Sequence, residues 1–506
     1  MLRKIRILAA AFCFIAVSLL FLDFTGTLHH YLGWLAKIQF LPAILALNLA
    51  VVIVLAVITL VFGSVYCSVI CPLGVFQDVV SWLSARRKKF RSRFSWSKEV
   101  RWLRYGVWVL FVIALVAGVQ AFVALLAPYS AWGRIVQNLF QPLYIWVNNL
   151  FAAISERASS YAFYSKEVWL RSLPTFIIAT VTFAGVAFLA WKHGRTWCNT
   201  VCPVGTTLSF LSRFAMFRPV IDADKCKNCK MCERKCKASC IDIASHKIDY
   251  SRCVDCFDCL ESCKFSALKY RLVWGKDSSA SPQNDTKQNG ADKSRRAFLA
   301  STAIVAGAVT LEAQEKKLDG GFATILDKKI PERTLPIAPF GAESARAFYS
   351  KCTGCQLCVA VCPNNVLRPS TDLNRLMQPE MSYERGFCRP ECTKCSEVCP
   401  SGAIIKITPE EKTSYKIGTA HIEYGLCITS DGTTCGNCSR HCPTMAIQMV
   451  HQDPEDEDSI LIPVVVEENC IGCGACENLC PSRPVSAITV NGIEAPYLRD
   501  LSFMWQ

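Results

Sequence analysis

Twenty-four of the chain's 30 cysteines fall into six spaced sets, and this ladder restricts the possible folds more than any other feature. The first two sets are Cys226-x2-Cys229-x2-Cys232-x3-Cys236 and Cys253-x2-Cys256-x2-Cys259-x3-Cys263. A four-iron cubane needs one thiolate at each iron corner. An x2-x2 loop wraps three corners and turns backbone N–H groups toward the inorganic sulfides. The x3 spacing sends the fourth cysteine to a neighbouring cluster. The expected sets are therefore Cys226, Cys229, Cys232 with Cys263, and Cys253, Cys256, Cys259 with Cys236. A zinc ribbon would show two CxxC pairs joined by a longer spacer, and a disulfide framework does not suit a cytoplasmic segment. Neither fourth cysteine is followed by the usual proline; Lys237 and Lys264 stand there. Cys13 and Cys240 are left over and read as buried thiols.

Four more sets lie beyond Gly321: Cys352, Cys355, Cys358, Cys362; Cys388, Cys392, Cys395, Cys399; Cys427, Cys435, Cys438, Cys442; and Cys470, Cys473, Cys476, Cys480. A proline follows the last cysteine of each. Short apolar stretches behind them, Ala403–Ile407 and Ala446–Val450, read as strands. The pattern predicts two ferredoxin-like units of small α+β character, built around metal more than around a large apolar core. The x3 opening at Cys388 and the x7 gap after Cys427 depart from the plain spacing.

The N-terminal half is apolar. Ile5–Leu22, Leu41–Val65, Tyr105–Leu126 and Pro174–Trp191 have about the length that crosses a bilayer. Asn138–Ile154, interrupted by Pro142, Asn148 and Asn149, reads as an interfacial or partly re-entrant helix. Arg3, Lys4 and Arg6 precede the first run, and a basic stretch from Arg86 to Arg93 follows the second. Both ends of a four-span unit would then face the cytoplasm. The unit repeats internally. Cys67-Ser-Val-Ile-Cys71-Pro72-Leu-Gly74 closes the second run, and Cys198-Asn-Thr-Val-Cys202-Pro203-Val-Gly205 closes the fourth. Amphipathic stretches follow each, Phe76–Leu83 and Leu208–Phe214. Such related hairpins pack around shared sites. The four thiols Cys67, Cys71, Cys198 and Cys202 could hold a metal, form a redox pair, or simply pack a helix end.

Ser294-Arg295-Arg296-Ala297-Phe298-Leu299, followed by small apolar residues to Leu311, has the form of a twin-arginine export signal placed inside a chain. Charge agrees with a division there. Residues 321–506 hold 16 Lys+Arg against 22 Asp+Glu, or −6, which leaves +20 of the total +14 for residues 1–320. A basic inner half and an acidic exported half fit the positive-inside rule better than nucleic-acid binding. Sixteen bare cysteines threaded unfolded into an oxidising compartment would scramble, so loading metal first and exporting the folded unit is the consistent route. The expected organisation is a transmembrane domain (1–215), a cytoplasmic two-cluster domain (216–272), a linker (273–293), an internal signal or anchor (294–313, retained), and a periplasmic four-cluster domain (321–506). The fold class is a membrane α-helical bundle of four transmembrane helices plus the twin-arginine segment, with α+β ferredoxin-like iron–sulfur domains. The expected location is the bacterial inner membrane, with the C-terminal domain periplasmic.

Four runs, two CxxxCP motifs and a two-cluster ferredoxin in that order resemble the membrane ferredoxin of the periplasmic nitrate reductase system (NapH type), related to NosR and CcoG proteins. The later motifs, with their x3 and x7 departures and arginine pair, are similar to the soluble four-cluster partner (NapG type). The chain thus looks like the two fused end to end. The resemblance implies that outer motifs pair, Cys352, Cys355, Cys358 with Cys480 and Cys470, Cys473, Cys476 with Cys362. The inner sets would be Cys388, Cys392, Cys395 with Cys442, and Cys427, Cys435, Cys438 with Cys399. It also implies an electron path from the quinol pool or a quinol-oxidising subunit, through six [4Fe–4S] clusters, to a periplasmic reductase or c-type cytochrome. The chain would be an electron-transfer component of a quinol dehydrogenase system, with quinone as a further ligand. The alternative is a factor that supplies electrons for metalloenzyme assembly, or senses redox state, with the CxxxCP thiols as its working site. No haem-attachment, nucleotide or hydrolase motif is present, and no catalytic residue is assigned. His421 and His441 read as ordinary residues beside the clusters.

Overall fold

The computed structural model describes residues 2–23, 26–86, 94–157, 163–166, 168–273, 326–456 and 458–498. The twin-arginine segment and nearly all of the linker lie outside the described residues. Two helices, Leu2–Leu22 and Leu173–His193, are long and apolar enough to cross a membrane by length and composition. The second expected run is not one helix: Phe40–Leu45 and Leu49–Phe62 are separated by a turn in which Leu47 is left-handed. Asn48 then caps the second piece by accepting from the Val51 N–H. The third run breaks in the same way at Gly118, where φ is +77°, between Arg101–Ala117 and Gln120–Leu126. A left-handed residue ends a helix by closing its last carbonyls, and glycine does so without a Cβ penalty.

The stretch after Asn138 forms a continuous helix, Gln141–Arg157. Pro142 sits in its first turn, where no N–H is needed. Asn148 and Asn149 do not interrupt it; they bond the backbone of Tyr164 and Lys166 at 2.8–2.9 Å.

The cysteine-bearing regions are made of two-stranded antiparallel sheets and one-turn helices. Phe217–Ile221 pairs with Leu268–Leu272, Leu367–Pro369 with Pro379–Met381, Tyr415–Ile422 with Ile488–Leu498, and Ile447–His451 with Leu461–Val465. The strand expected at Ala446–Val450 is present one residue later. The one expected at Ala403–Ile407 is not: Ile405 donates a single bond to the Gly341 carbonyl and no ladder follows.

The two cysteine modules pack at opposite ends of the helical body. Helix Leu2–Leu22, about 31 Å long at 1.5 Å per residue, touches both. At its start Arg3 pairs with Asp258 and Glu261 of the first module. At its end Phe21 packs on Tyr129, one turn before Gly133, whose Cβ would stand 2.5 Å from the Cys355 carbonyl of the second module. One buried apolar cluster runs from Val17 and Phe21 through Trp132 and Ile135 to Leu357, Val361 and Ile404. The Asn138 amide donates to Gln356 Oε1 at 3.1 Å, and Arg385 lies over the Trp169 ring. The second module is therefore seated on the helices by buried contact.

Candidate iron–sulfur site

Four of the six motifs share one backbone device. In each regular Cys-x2-Cys-x2-Cys loop the residues two and four beyond the first cysteine are left-handed: Asn228 and Lys230, Asp255 and Phe257, Gly354 and Gln356, Gly472 and Gly474. Left-handed residues reverse the chain so that successive N–H groups converge on one concavity, which suits an anion such as a sulfide-rich cube. A helix of about one turn starts after each loop. The widened motifs at Cys388 and Cys427 lack that left-handed pair.

The structure gathers five of the six sets as fours. Cys236, Cys253, Cys256 and Cys259 line one void, as the spacing predicts, and Cys240 shares it with its sulfur 3.5 Å from that of Cys236. In the sixth set Cys226, Cys229 and Cys232 of one loop lie within charge range of each other, and no contact brings the expected Cys263 to them among the described residues. In the second module Cys362 joins Cys388, Cys392 and Cys395. Cys480 joins Cys427, Cys435 and Cys438, and Cys442 joins Cys470, Cys473 and Cys476. Cys399 stands with Cys352, Cys355 and Cys358. The outer-with-outer and inner-with-inner pairing is thereby corrected: adjacent motifs exchange their fourth cysteines. The physical reason is reach. Each proline-flanked fourth cysteine ends a one-turn helix that packs on its sequence neighbour, Leu357–Val361 on Lys394–Val398 and Asn437–Arg440 on Ala475–Leu479.

These cradles fit the group that the spacing implies. Ile404 N–H points at Cys399 Sγ (3.5 Å) and Ala446 N–H at Cys442 Sγ (3.2 Å), as thiolate ligands require. Burial pushes the thiols up, Cys355 and Cys388 to about 11 and Cys473 to about 12. Without a cation to share the charge they stay protonated, so loading metal must expel protons. Among the described residues no three His, Cys, Asp or Glu side chains stand close enough to grip a single ion. One tetrahedral zinc would need its sulfurs about 3.8 Å apart, given Zn–S bonds of about 2.3 Å. A cubane holds its thiolates farther apart.

Two functional side chains escaped the sequence reading. Lys412, 1% exposed, donates to Cys388 Sγ (3.2 Å) and to the carbonyls of Arg389 (2.6 Å) and Cys392 (2.5 Å). Lys237 pairs with Asp258 (2.9 Å) and Asp78 (3.5 Å), docking the first module on the helices. Its signal was visible: a lysine stands where the motif usually has proline.

Gly474 tests the cradle. A Cβ there would collide with the Tyr383 ring, and φ is +78°. Tyr383 OH donates to the Gly472 carbonyl at 2.5 Å, so displacing the ring also opens the loop. Gly474→Ala should cost at least about 2 kcal/mol, from left-handed strain plus lost packing. It should also lower iron content, read by unfolding and by iron assay of the purified chain.

The CxxxCP repeats match in geometry as well as in sequence. Cys71 N–H bonds the Tyr66 carbonyl and Cys202 N–H the Trp197 carbonyl, both at 3.0 Å and both five residues back. Cys71 and Cys202 then cap the helices Pro72–Ala85 and Pro203–Ser212 in extended conformation, which the following proline enforces. Gly74 and Gly205 lie against the carbonyls of Cys67 and Cys198, where a side chain would collide.

Comparison with known proteins agrees with these modules. A family described as "4Fe-4S binding domain" matches residues 44–91 and 173–220, and one described as "4Fe-4S dicluster domain" matches 351–403 and 433–483. The ferredoxin-type protein NapG of Haemophilus influenzae is 28% identical over 153 residues, 28% of this chain and 53% of that protein. The methylamine utilization ferredoxin-type protein MauM of Paracoccus denitrificans is 29% identical over 168 residues, 32% of this chain and 75% of that protein. The ferredoxin-type protein NapF of Escherichia coli is 27% identical over 180 residues, 35% of this chain and 99% of that protein. The chain spans about half the length of the Haemophilus relative. No solved structure matches it. The chain carries [4Fe–4S] ferredoxin domains and is homologous to the ferredoxin-type proteins NapG, NapF and MauM.

Proposed function

We propose that the chain is a membrane-bound polyferredoxin carrying electrons between the quinol pool and a periplasmic reductase or c-type cytochrome. In this reading a NapH-like four-span unit and a NapG-like unit are fused. The two broken helical runs cross the bilayer as jointed spans, the first module lies in the cytoplasm, and the second is exported folded behind the retained twin-arginine segment. Six [4Fe–4S] clusters, two inside and four outside, would supply one-electron storage.

The observation behind the quinol link is a cavity of about 860 Å³ where the helices meet the second module. Part of its lining is apolar, with Leu115 and Val116, the latter 84% exposed, and would face lipid in this reading. Gln120, Tyr349 and Gln378 also line it, and behind its surface Gln120 Oε1, Tyr349 OH and Gln378 Oε1 are buried with no hydrogen-bond partner among the described residues. Orphaned buried polar atoms are costly, so a small turn of these side chains into the cavity would be favoured by a ligand that bonds them. An apolar tail on one side and a hydroxylated ring on the other is the form of a quinol. Gln378 also donates to the carbonyl of Cys352 at 2.8 Å, which puts this part of the lining against the first cradle of the second module.

A naphthoquinol added to the detergent-purified full chain should bleach its iron–sulfur absorption. Tyr349→Phe or Gln120→Leu should slow that bleaching about tenfold, the equivalent of one buried hydrogen bond of about 1.4 kcal/mol. A chain that dithionite bleaches but quinol does not would remove the quinol link.

A further inference from the structure

We propose that Cys67, Cys71, Cys198 and Cys202 hold one further [4Fe–4S] cluster, shared between the two repeats, which relays electrons between the two ferredoxin modules. Each stretch matched by the "4Fe-4S binding domain" family contributes only two cysteines, so neither repeat can hold a cubane alone. The fold brings the pairs together. All four residues are buried, between 3% and 7% exposed. Gln77 of the first repeat donates to Cys198 Sγ of the second at 3.2 Å. Arg195 of the second repeat donates to the Cys67 carbonyl of the first at 2.7 Å. Each thiol lies within electrostatic reach of the other three.

The surroundings suit a buried anion. A cubane with four thiolates is negative in either of its usual states and needs compensation in a low-dielectric interior. The helices Pro72–Ala85 and Pro203–Ser212 both begin at a ligand cysteine, and Gly205 N–H already points at Cys202 Sγ (3.4 Å). Arg195 and Arg104 stand within charge range of Cys67. The burial that suits a cluster excludes a partner's dithiol, so the alternative of exposed exchange thiols finds no support in this geometry.

Position gives the site its role. On one side Arg195 lies within charge range of both Cys198 and Cys256, a cradle residue of the first module. On the other, Tyr66 lies within charge range of Cys67, Cys71 and Cys202. Tyr129 in turn lies within charge range of Tyr66 and of Cys355 and Cys399 of the second module. An electron leaving the Cys256 cradle, which is thereby oxidised by one unit, would reduce the shared site by one. It would then pass to the Cys355 cradle, restoring the site; no atoms move. The reverse order balances equally. The relay rests on the electron-transfer reading above, whereas occupancy of the site does not.

The test is iron, sulfide and zinc analysis with Mössbauer spectroscopy on the full chain purified without air. Seven cubanes require about 28 irons per chain, and six require about 24. A Cys71→Ser/Cys202→Ser variant should lose about four irons and keep the rest. In vesicles it should also lose reduction of the outer module from the inner side. About 24 irons in the unmodified chain, about one zinc, or two disulfides among the four cysteines would overturn the proposal. The count on the unmodified chain decides even if the variant does not fold. Full iron content with no response to quinol would leave this site standing and remove the quinol reading instead.

Discussion

Asp78→Asn is expected to destabilise the chain by about 3–5 kcal/mol, the usual cost of removing one partner from a buried charge network. Its carboxylate accepts from Arg195 Nε and Nη2 at 2.9 and 2.8 Å and from Arg6 Nη1 at 2.6 Å, and Lys237 stands at 3.5 Å. The Arg195 side chain is fully buried, and those of Arg6 and Asp78 are 6% and 9% exposed. Three cations therefore converge on one anion between two helices and the first module. Neutralising it leaves them facing each other away from water. Burial pushes the Asp78 carboxyl up, but Arg195 and Lys237 outweigh that and hold it well below the usual carboxylate range. Its stabilising contribution is thus complete above the ordinary aspartate value and lost only as pH falls far below it. Chemical unfolding in detergent, followed by tryptophan fluorescence at neutral pH, would measure the loss. A change under about 1 kcal/mol, the range of an exposed ion pair, would show that water reaches the network.

Lys412→Met is expected to lower the reduction potential of one cluster by on the order of 100 mV. A unit charge about 4 Å from another interacts by about 4 kcal/mol at an effective dielectric near 20, and reduction adds negative charge beside that lysine. Lys412 is held by Cys388 Sγ, two carbonyls and the Phe340 ring, so its charge is fixed in place. Lys412→Arg should restore most of the potential. An EPR-monitored redox titration would separate the shifted signal from the others. If no signal moved by more than about 30 mV, Lys412 would be a structural strut and not an electrostatic one.

The cradles themselves were legible from residues alone, because a cubane dictates ligand identity and spacing over about ten residues of chain. The crosswise set that brings Cys236 to Cys253, Cys256 and Cys259 followed from the same spacing. The pairing of the four later motifs was not legible. Which fourth cysteine crosses to which loop depends on how one-turn helices pack, and spacing carries no record of that. Similarly, apolar length announced helices from Leu41 to Val65 and from Tyr105 to Leu126. It could not show that Leu47 and Gly118 would break them, since a left-handed turn costs one residue and barely alters the hydropathy.

Sequence by itself determined the candidate ligands: cysteine number, order and spacing, together with a helical repeat ending twice in the same motif. Tertiary structure alone decided what lies beside what. It set the two modules at opposite ends of one helical body, joined Asp78 to Arg6, Arg195 and Lys237, and folded two distant cysteine pairs into one buried group. Ligand geometry is a short-range property and is written in neighbouring residues. Proximity between segments more than a hundred residues apart arises only when buried surfaces and buried charges find their partners.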